Sequence, residues 1–469
     1  TSDEILYEVN GTAEKFSSNL INSEFDISDG TLDFFANKKG LEIEGNVKVN
    51  NLPVQAKFSG SMAKGEAKFL EIDLNLSEQA LELLPVDMPE IKISGYAPAK
   101  IFLKFQESNK VEFELTSDLK GVELSYLPIG WIKDINSEAD LNVSGALGDG
   151  FVLDDISLNS SELVLVASAL RNKDESFVLN FEKLALRDVF DLQLVIKKDG
   201  SLDIIGGQLN MQEFLKLPLV KKSSKKSSPI TIYLDELKLY EKQIVTRFTA
   251  ALETSGKGKF SGSLNDLASF NGNIDRIDAG YSIVANSNNA GSFIRALGAA
   301  KAADGGSAQL NLRQLKDTPG LKGNLKIKNI RLRNMPALLE LLDAISIVGL
   351  IDQLQGPGLV LNEIEANFVN LPDQIKFEQA SAFGPSIGIS LEGYYAKATN
   401  NLNMQGVLSP LYVVNAIGSI FTRKGEGLLG FNYRLKGNAD RPEVLVNPLS
   451  IFSPAIFREI FRRPVPNLE

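Results

Sequence analysis

A glycine-rich hexapeptide, Gly425 to Gly430 (GEGLLG), has the spacing of a phosphate-binding loop. In nucleotide-binding proteins this spacing follows a strand and opens a helix, whose N-terminus faces the phosphate. Here it follows a helical pattern and leads into a strand pattern, and Glu426 would repel an anion. We therefore interpret the segment as a hairpin turn and not as a nucleotide site.

The composition removes most other catalytic and metal chemistry. The 469 residues include no cysteine and no histidine, which excludes thiol nucleophiles, disulfides, thiolate or imidazole metal sites and imidazole-based triads. Acidic pairs such as Asp154 and Asp155 resemble glycosidase acids or calcium ligands, but neither calcium-loop spacing nor a cluster accompanies them. The sequence therefore predicts no enzyme activity, no cofactor and no metal site.

The charge balance is acidic, with a formal net charge of −10. This argues against a nucleic-acid partner, because phosphate binding needs clustered Lys and Arg. The clearest basic run, residues 221–229 (KKSSKKSSP), is typical of a solvated loop or linker, and a contact with lipid headgroups is the alternative. The acidic net charge also argues against electrostatic adhesion to an anionic membrane. Any contact with lipid should therefore be apolar and local.

Short strands dominate the pattern of the chain. Apolar and polar residues alternate from Leu41 to Val49, which is the period of a sheet with one solvated face. The same alternation recurs at residues 111–115, 141–145, 237–239, 325–328, 364–368, 375–377 and 431–435. A glycine closes many of these patterns, at Gly45, Gly60, Gly95, Gly145, Gly262, Gly393 and Gly437. Repeated strand–glycine units predict an antiparallel meander.

Helical patterns are few. Residues 79–84, 189–192 and 211–215 predict a turn or two each, and 292–303 a modest helix. A stronger helix begins after Asn334, with Pro336 in its first turn. The most apolar run, Ala337 to Ile351, is shorter than the roughly 18 residues of a membrane span, and Glu340 and Asp343 interrupt it. These helices are too few to cover a sheet made from most of the chain.

Two further helices are predicted near the C-terminus, each opened by a Ser-Pro pair. Ser409 would cap a helix that starts at Pro410 and runs to about Phe421, and Ser453 and Pro454 repeat the arrangement. Their apolar stripes and that of the helix after Asn334 are the candidates for a plug or for a membrane or partner contact: Leu338, Leu342, Ile345, Val414, Ile417, Ile420, Phe457, Ile460 and Phe461. Ordinary core helices are the alternative.

A sheet with one apolar face must bury that face against another sheet, helices, itself or a ligand. We expect an all-β, mainly antiparallel fold whose elongated, curled sheet forms a groove with an apolar floor. Phospholipid acyl chains would fill such a groove. The candidate floor residues come from one parity of each strand: Ile43, Val47, Phe113, Ile327, Phe368 and Phe377. A sandwich array with a closed core shows the same alternation and stays open as an alternative.

The C-terminal region also resembles a known family. Gly406 to Pro410, the strand GLLGFNYRLKG from Gly427, the segment PEVLVNP from Pro442, then Leu449, Ser450 and the Ser453-Pro454 pair are similar to the AsmA-like proteins of Gram-negative bacteria, in particular the YhdP type. The resemblance is best from Leu325 to Phe461. It implies a bridge-like lipid transfer protein of the periplasm, anchored in the inner membrane, that serves phospholipid transport and outer-membrane homeostasis.

Three regions are expected: a repeated β region at 1–220, the Lys/Ser-rich linker at 221–229, and the AsmA-like β region at 230–469. The chain starts at Thr1 without Met or a leader pattern, which suggests a processed or excised segment whose N-terminal anchor is absent. The expected partners are acyl chains, the inner and outer membranes and an envelope protein. Two other functions stay open: an assembly or scaffold factor for outer-membrane proteins, which would pair edge strands with its clients, and a glycan-degrading enzyme.

Overall fold

The structure is a computed structural model that describes residues 7–18, 26–61, 63, 65–81, 91–106, 110–126, 129–148, 151–171, 176–217, 227–240, 242–278, 280–298, 302–316, 318–345, 347–410, 423–427, 429–452 and 464–466. The chain divides into two compact units, Thr1–Pro229 (unit 1) and Ile230–Glu469 (unit 2). Most of the predicted Lys/Ser linker, residues 221–226, lies outside the described residues.

Unit 1 is built from antiparallel strands that pair mostly with their neighbours in sequence. Its strands are β1 Glu8–Ser18, β2 Ile27–Asn37, β3 Gly40–Val49, β4 Leu52–Ser61, β5 Lys68–Leu76, β6 Ile91–Gly95, β7 Ala97–Phe105, β8 Val111–Ser117, β9 Val122–Tyr126, β10 Trp131–Lys133, β11 Asp140–Leu147, β12 Phe151–Asn159, β13 Leu163–Arg171, β14 Phe177–Leu186, β15 Phe190–Lys197 and β16 Leu202–Asn210. Two short helices, α1 Glu78–Leu81 and α2 Met211–Phe214, interrupt them. β6, β9 and β10 form a separate small sheet, so β5 pairs with β7 and β8 pairs with β11.

Unit 2 repeats the meander and adds longer helices. Its strands are β17 Pro229–Tyr240, which starts at the unit boundary, β18 Gln243–Glu253, β19 Gly258–Leu264, β20 Ala268–Ile277, β21 Gly280–Ser287, β22 Ala302–Gln314, β23 Leu321–Arg333, β24 Leu359–Asn370, β25 Gln374–Phe383, β26 Ile387–Ala396, β27 Asn401–Pro410, β28 Phe431–Asn438 and β29 Glu443–Asn447. The helices are α3 Ala290–Ala296, α4 Pro336–Ala344 and α5 Val348–Gln355, and a 3-10 turn spans Pro448–Phe452. From β18 to β29, each strand pairs antiparallel with the next.

The prediction of a mainly antiparallel all-β fold with a few short helices is confirmed. The predicted helical turn at residues 189–192 is wrong, because Leu192 pairs with Leu184 and Gly207 inside β15. The modest helix predicted at 292–303 is shorter and earlier than expected, since α3 ends at Ala296 and β22 begins at Ala302.

The glycines that were expected at strand ends mostly lie elsewhere. Gly95 does end β6, but Gly45, Gly145, Gly262 and Gly393 lie inside their strands. A Cβ on Gly45 would stand 2.0 Å from the carbonyl oxygen of Thr31, and one on Gly145 would stand equally close to that of Val152. Gly145 also borders a β-bulge. Bulges bend strands and increase twist, so these glycines permit close approach in a curled sheet.

Each unit covers only part of its apolar face. In unit 1, α1 and the small sheet pack on the strand ends around Val47, Val54 and Ala99. In unit 2, helices α3, α4 and α5 pack over buried residues such as Ile330 and Leu359. Both covers come from long connections between consecutive strands of the meander. The rest of each face, which we call its open part, is lined by partly exposed apolar side chains.

Candidate functional site

A continuous apolar row crosses unit 1 from its first described strand to β16. It passes through one residue on each of thirteen strands, and every member is paired with the next across the sheet. In spatial order the unit 1 row is Ala13, Leu32, Gly45, Ala56, Ile72, Ile101, Leu115, Val143, Ile156, Ala167, Phe181, Leu194 and Ile204. Only Ala167 and Leu194 are buried, and the other eleven are partly exposed. No member of the row carries a polar side chain.

Unit 2 contains a second row of the same kind over twelve strands, from β18 to β29. Its members are again paired one to the next. The unit 2 row is Leu252, Gly258, Ile274, Ile283, Leu312, Gly323, Phe368, Phe377, Gly393, Met404, Leu435 and Val444. Within each unit, a ladder in constant register with period-2 side chains produces such a row. Bulges shift the register, yet the apolar parity is recovered after each one.

The six predicted floor residues all lie on apolar faces, but not at equal depth. Ile43 and Phe113 belong to one cross-strand row, through Phe58, Leu70 and Leu103. Phe368 and Phe377 are direct neighbours in the unit 2 row, with ring centroids 6.2 Å apart.

Val47 and Ile327 are 8% and 5% exposed, in the covered parts of their faces. These two are therefore less accessible than the other four to a ligand on the open part of a face. Their assignment as lipid contacts stays a prediction, as does that of the other four.

Aromatic rings lie over glycines of the adjacent strand at several points of these faces. Phe260 covers Gly272, and Phe368 covers Gly323, where an added Cβ would come within 2.5 and 2.2 Å of the respective ring. A ring that lies over glycine fills the space left by the missing side chain and protrudes less. The sequence showed the Phe and Gly residues, but only the register shows that they meet.

The opposite face of unit 1 is polar and contains a cleft of about 980 Å³. Seven consecutively paired residues line its floor: Asn46, Gln55, Asp73, Lys100, Thr116, Asn142 and Ser157. Surface ion pairs cross the strands on this face, for example Lys48 with Asp29 at 2.7 Å. A twisted sheet is concave along one diagonal on each of its two faces. The polar face of unit 1 therefore has a concave surface too. No sequence pattern predicted this cleft.

Of the helical residues predicted for a plug or a membrane contact, three are described. Leu338 and Leu342 are 8% and 0% exposed in the core of unit 2, and Ile345 is partly buried against it. The other six, Val414, Ile417, Ile420, Phe457, Ile460 and Phe461, lie outside the described residues. The α4 residues therefore close part of the apolar face.

The predicted cap at Ser409 is wrong. Ser409 and Pro410 are the last residues of β27, where they pair with Gly388 and Ile387. The Ser409 hydroxyl is fully buried and accepts a hydrogen bond from the Gly427 backbone N–H at 2.8 Å. A tertiary contact with a later segment thus replaces the local capping bond.

That later segment, residues 423–427, lies across the polar face of unit 2, and we call it the strap. Lys424 binds both Glu363 and Glu365 on β24, and Arg423 binds Glu392 on β26 at 3.1 Å. The hydrogen bond from Lys424 holds the pKa of Glu365 below its usual range. The strap contains most of the described part of the GEGLLG motif, so the motif is a tertiary cover over β24 to β27.

One carboxylate of the strap and one of the sheet that it contacts, Glu426 and Glu392, are buried. Glu426 is 4% exposed and accepts a hydrogen bond from the Ser390 hydroxyl at 2.7 Å. Through the sheet, Tyr433 donates to the Ser390 carbonyl at 2.7 Å, and burial raises the pKa of this phenol. No sequence pattern predicted this network, apart from the presence of the polar residues themselves.

Within the described residues, no group of three or more acidic side chains is arranged to hold a metal ion. None of the helices in the same part of the chain combines the length and apolar character that a membrane crossing requires. Comparison with protein-family models, with curated proteins and with solved structures found no match to this chain.

Proposed function

We propose that this chain binds phospholipid acyl chains along its apolar rows and serves lipid transport between the inner and outer membranes of a Gram-negative bacterium. The observation that carries the proposal is the unit 1 row, thirteen paired positions without one polar side chain. The resemblance to AsmA-like proteins supports the same role in the periplasm, with an inner-membrane anchor and outer-membrane homeostasis as its context.

The length of the row suits several acyl chains. Strands stand about 4.8 Å apart, so twelve steps cover about 58 Å. The hydrocarbon core of a bilayer is about 30 Å thick, or about 15 Å for one chain. The unit 1 row therefore has room for roughly four chains end to end. An apolar surface of that extent is more typical of an interaction site than of a surface that faces only solvent.

The energetics favour binding of acyl chains without holding them at one position of the row. Each buried CH₂ contributes about 0.8 kcal/mol, so half of one acyl chain would bind appreciably. The row has no polar group that would fix a chain at one position. A lipid could therefore move along the row without meeting a polar trap, which is a property that a transfer route needs.

Lipid bound to the protein purified without detergent, identified and counted by mass spectrometry, is the first test. We expect several phospholipids per chain. A well-folded protein that carries none, and that takes up none from dioleoylphosphatidylcholine vesicles, would contradict the proposal and favour the assembly or scaffold function.

Charges placed on the open face sharpen this test. Phe113→Glu together with Phe368→Glu should reduce the lipid count at least several-fold, because each carboxylate would meet hydrocarbon. Phe102→Glu is the matched control, since Phe102 is 38% exposed on β7 and faces the opposite, polar side. Circular dichroism checks that all variants keep their strands. Equal lipid counts in the double variant and the control would remove the apolar rows from the binding site.

A further inference from the structure

The apolar row of unit 2 changes its exposure along its length. From β18 to β22 its members are all partly exposed, as at Ile283 and Leu312. At β27 and β28 the members Met404 and Leu435 are each only 8% exposed. Because the row keeps the same parity throughout, this change comes from what packs on it and not from a change of residue type.

The helices α4 and α5 account for the change. α5 contacts β23 and β24, and α4 contacts β29, so the pair spans the face across these strands. Leu338, Leu341 and Leu342 of α4 form one buried cluster with Met404 and Leu435. Leu342 and Leu354 are fully buried. A helix packed this closely occupies the volume that a hydrocarbon chain would need.

We infer that α4 is an end-stop for bound hydrocarbon: acyl chains occupy the unit 2 face over β18 to β22 and do not pass over β26 to β28. This inference rests on the proposed function and adds a boundary to it. Leu338 and Leu342 exclude hydrocarbon in this arrangement, since they fill the closed part of the face. Gly323, Phe368 and Phe377 lie between the open and closed parts of the row.

The test maps lipid contacts on the full 469-residue chain. Dioleoylphosphatidylcholine vesicles that contain a phosphatidylcholine with a diazirine in its acyl chain serve as the probe, and adducts are located by mass spectrometry after proteolysis. We expect adducts around Ile274, Ile283 and Leu312, and at least ten-fold fewer at Met404 and Leu435. Adducts as frequent at Met404 and Leu435 would overturn the end-stop, while the absence of adducts anywhere would overturn the proposed function itself.

A pair of variants tests the role of α4 directly. Leu338→Ala with Leu342→Ala should open the closed part, so that adducts extend to Met404 and Leu435. Val348→Ala is the control, because Val348 is 64% exposed at the start of α5 and should leave the map unchanged. A folded double variant whose map matches that of the wild type would contradict the inference. If the double variant does not fold, the ten-fold difference expected in the wild type still decides the question.

Discussion

Phe368 lies directly over Gly323 of the adjacent strand. A Cβ added to Gly323 would stand 2.2 Å from Cζ of that ring, and the two residues are paired between β23 and β24. The ring also contacts Phe377, with centroids 6.2 Å apart. The missing side chain at Gly323 therefore sets the position of an aromatic pair between the open and closed parts of the unit 2 row.

Gly323→Ala should displace the Phe368 ring and lower the free energy of unfolding by about 1–2 kcal/mol, as overpacking does. Gly349→Ala is the matched control, because a Cβ there meets nothing within 4 Å. Inside α5, that substitution should instead stabilise by up to about 1 kcal/mol through helix propensity. Urea unfolding of both variants measures the difference, and equal stabilities would show that the ring does not depend on the glycine.

Leu342→Ala should destabilise unit 2 by about 2–5 kcal/mol, because Leu342 is fully buried between α4 and the sheet. Val348→Ala should change stability by less than about 0.5 kcal/mol, since that side chain is exposed. Denaturant unfolding distinguishes the two. A small effect at Leu342 would mean that α4 is not part of the folded core in solution.

Lys424→Met should lower the free energy of unfolding by about 1 kcal/mol at neutral pH, because the strap loses its ion pairs. This value is in the upper part of the range for partly exposed ion pairs. The pKa of Glu365 is lowered in the fold, chiefly by its hydrogen bond from Lys424. A carboxylate whose pKa is lowered in the fold stabilises the folded protein at pH values above its unfolded pKa of about 4.3. This contribution is lost as pH falls through the folded pKa. The difference between wild type and variant should therefore be constant from pH 7 to about 5 and vanish in stronger acid. A difference that persists at pH 2 would contradict this account.

Tyr433→Phe should cost about 1 kcal/mol at neutral pH, the net value of a hydrogen bond such as the one to the Ser390 carbonyl. Burial raises the pKa of Tyr433. The stability contributed by a raised pKa is complete below the unfolded value, about 10 for tyrosine, and is lost as pH rises above it. The wild type should thus lose its advantage over the variant in alkali, as thermal unfolding at pH 8 and above would show. Parallel curves for the two proteins would rule out this role.

Local pattern was sufficient for the strands that it predicted, although it missed the start of β15, where it predicted a helical turn. Alternation from Leu41 to Val49 placed β3 within one residue of its observed bounds, because a side-chain period of two is a property of the extended backbone itself. The apolar parity of Ile43, Phe113 and Phe368 followed from the same period. The helix after Asn334 was also evident from its leucine spacing, although the sequence did not show that α4 and α5 are separate helices.

Exposure, in contrast, was decided by contacts that are distant in sequence. Ile43 and Val47 have the same parity, yet only Val47 is buried, since α1 and the small sheet are contributed by residues beyond 77. Ser409 had a capping signal but ends a strand, because pairing with Gly388 and the bond from Gly427 override it.

The sequence by itself determined the meander and which residues share an apolar face. Only the tertiary structure decided which part of each face stays open. The cover comes from long connections between strands, and local pattern does not encode where these connections pack.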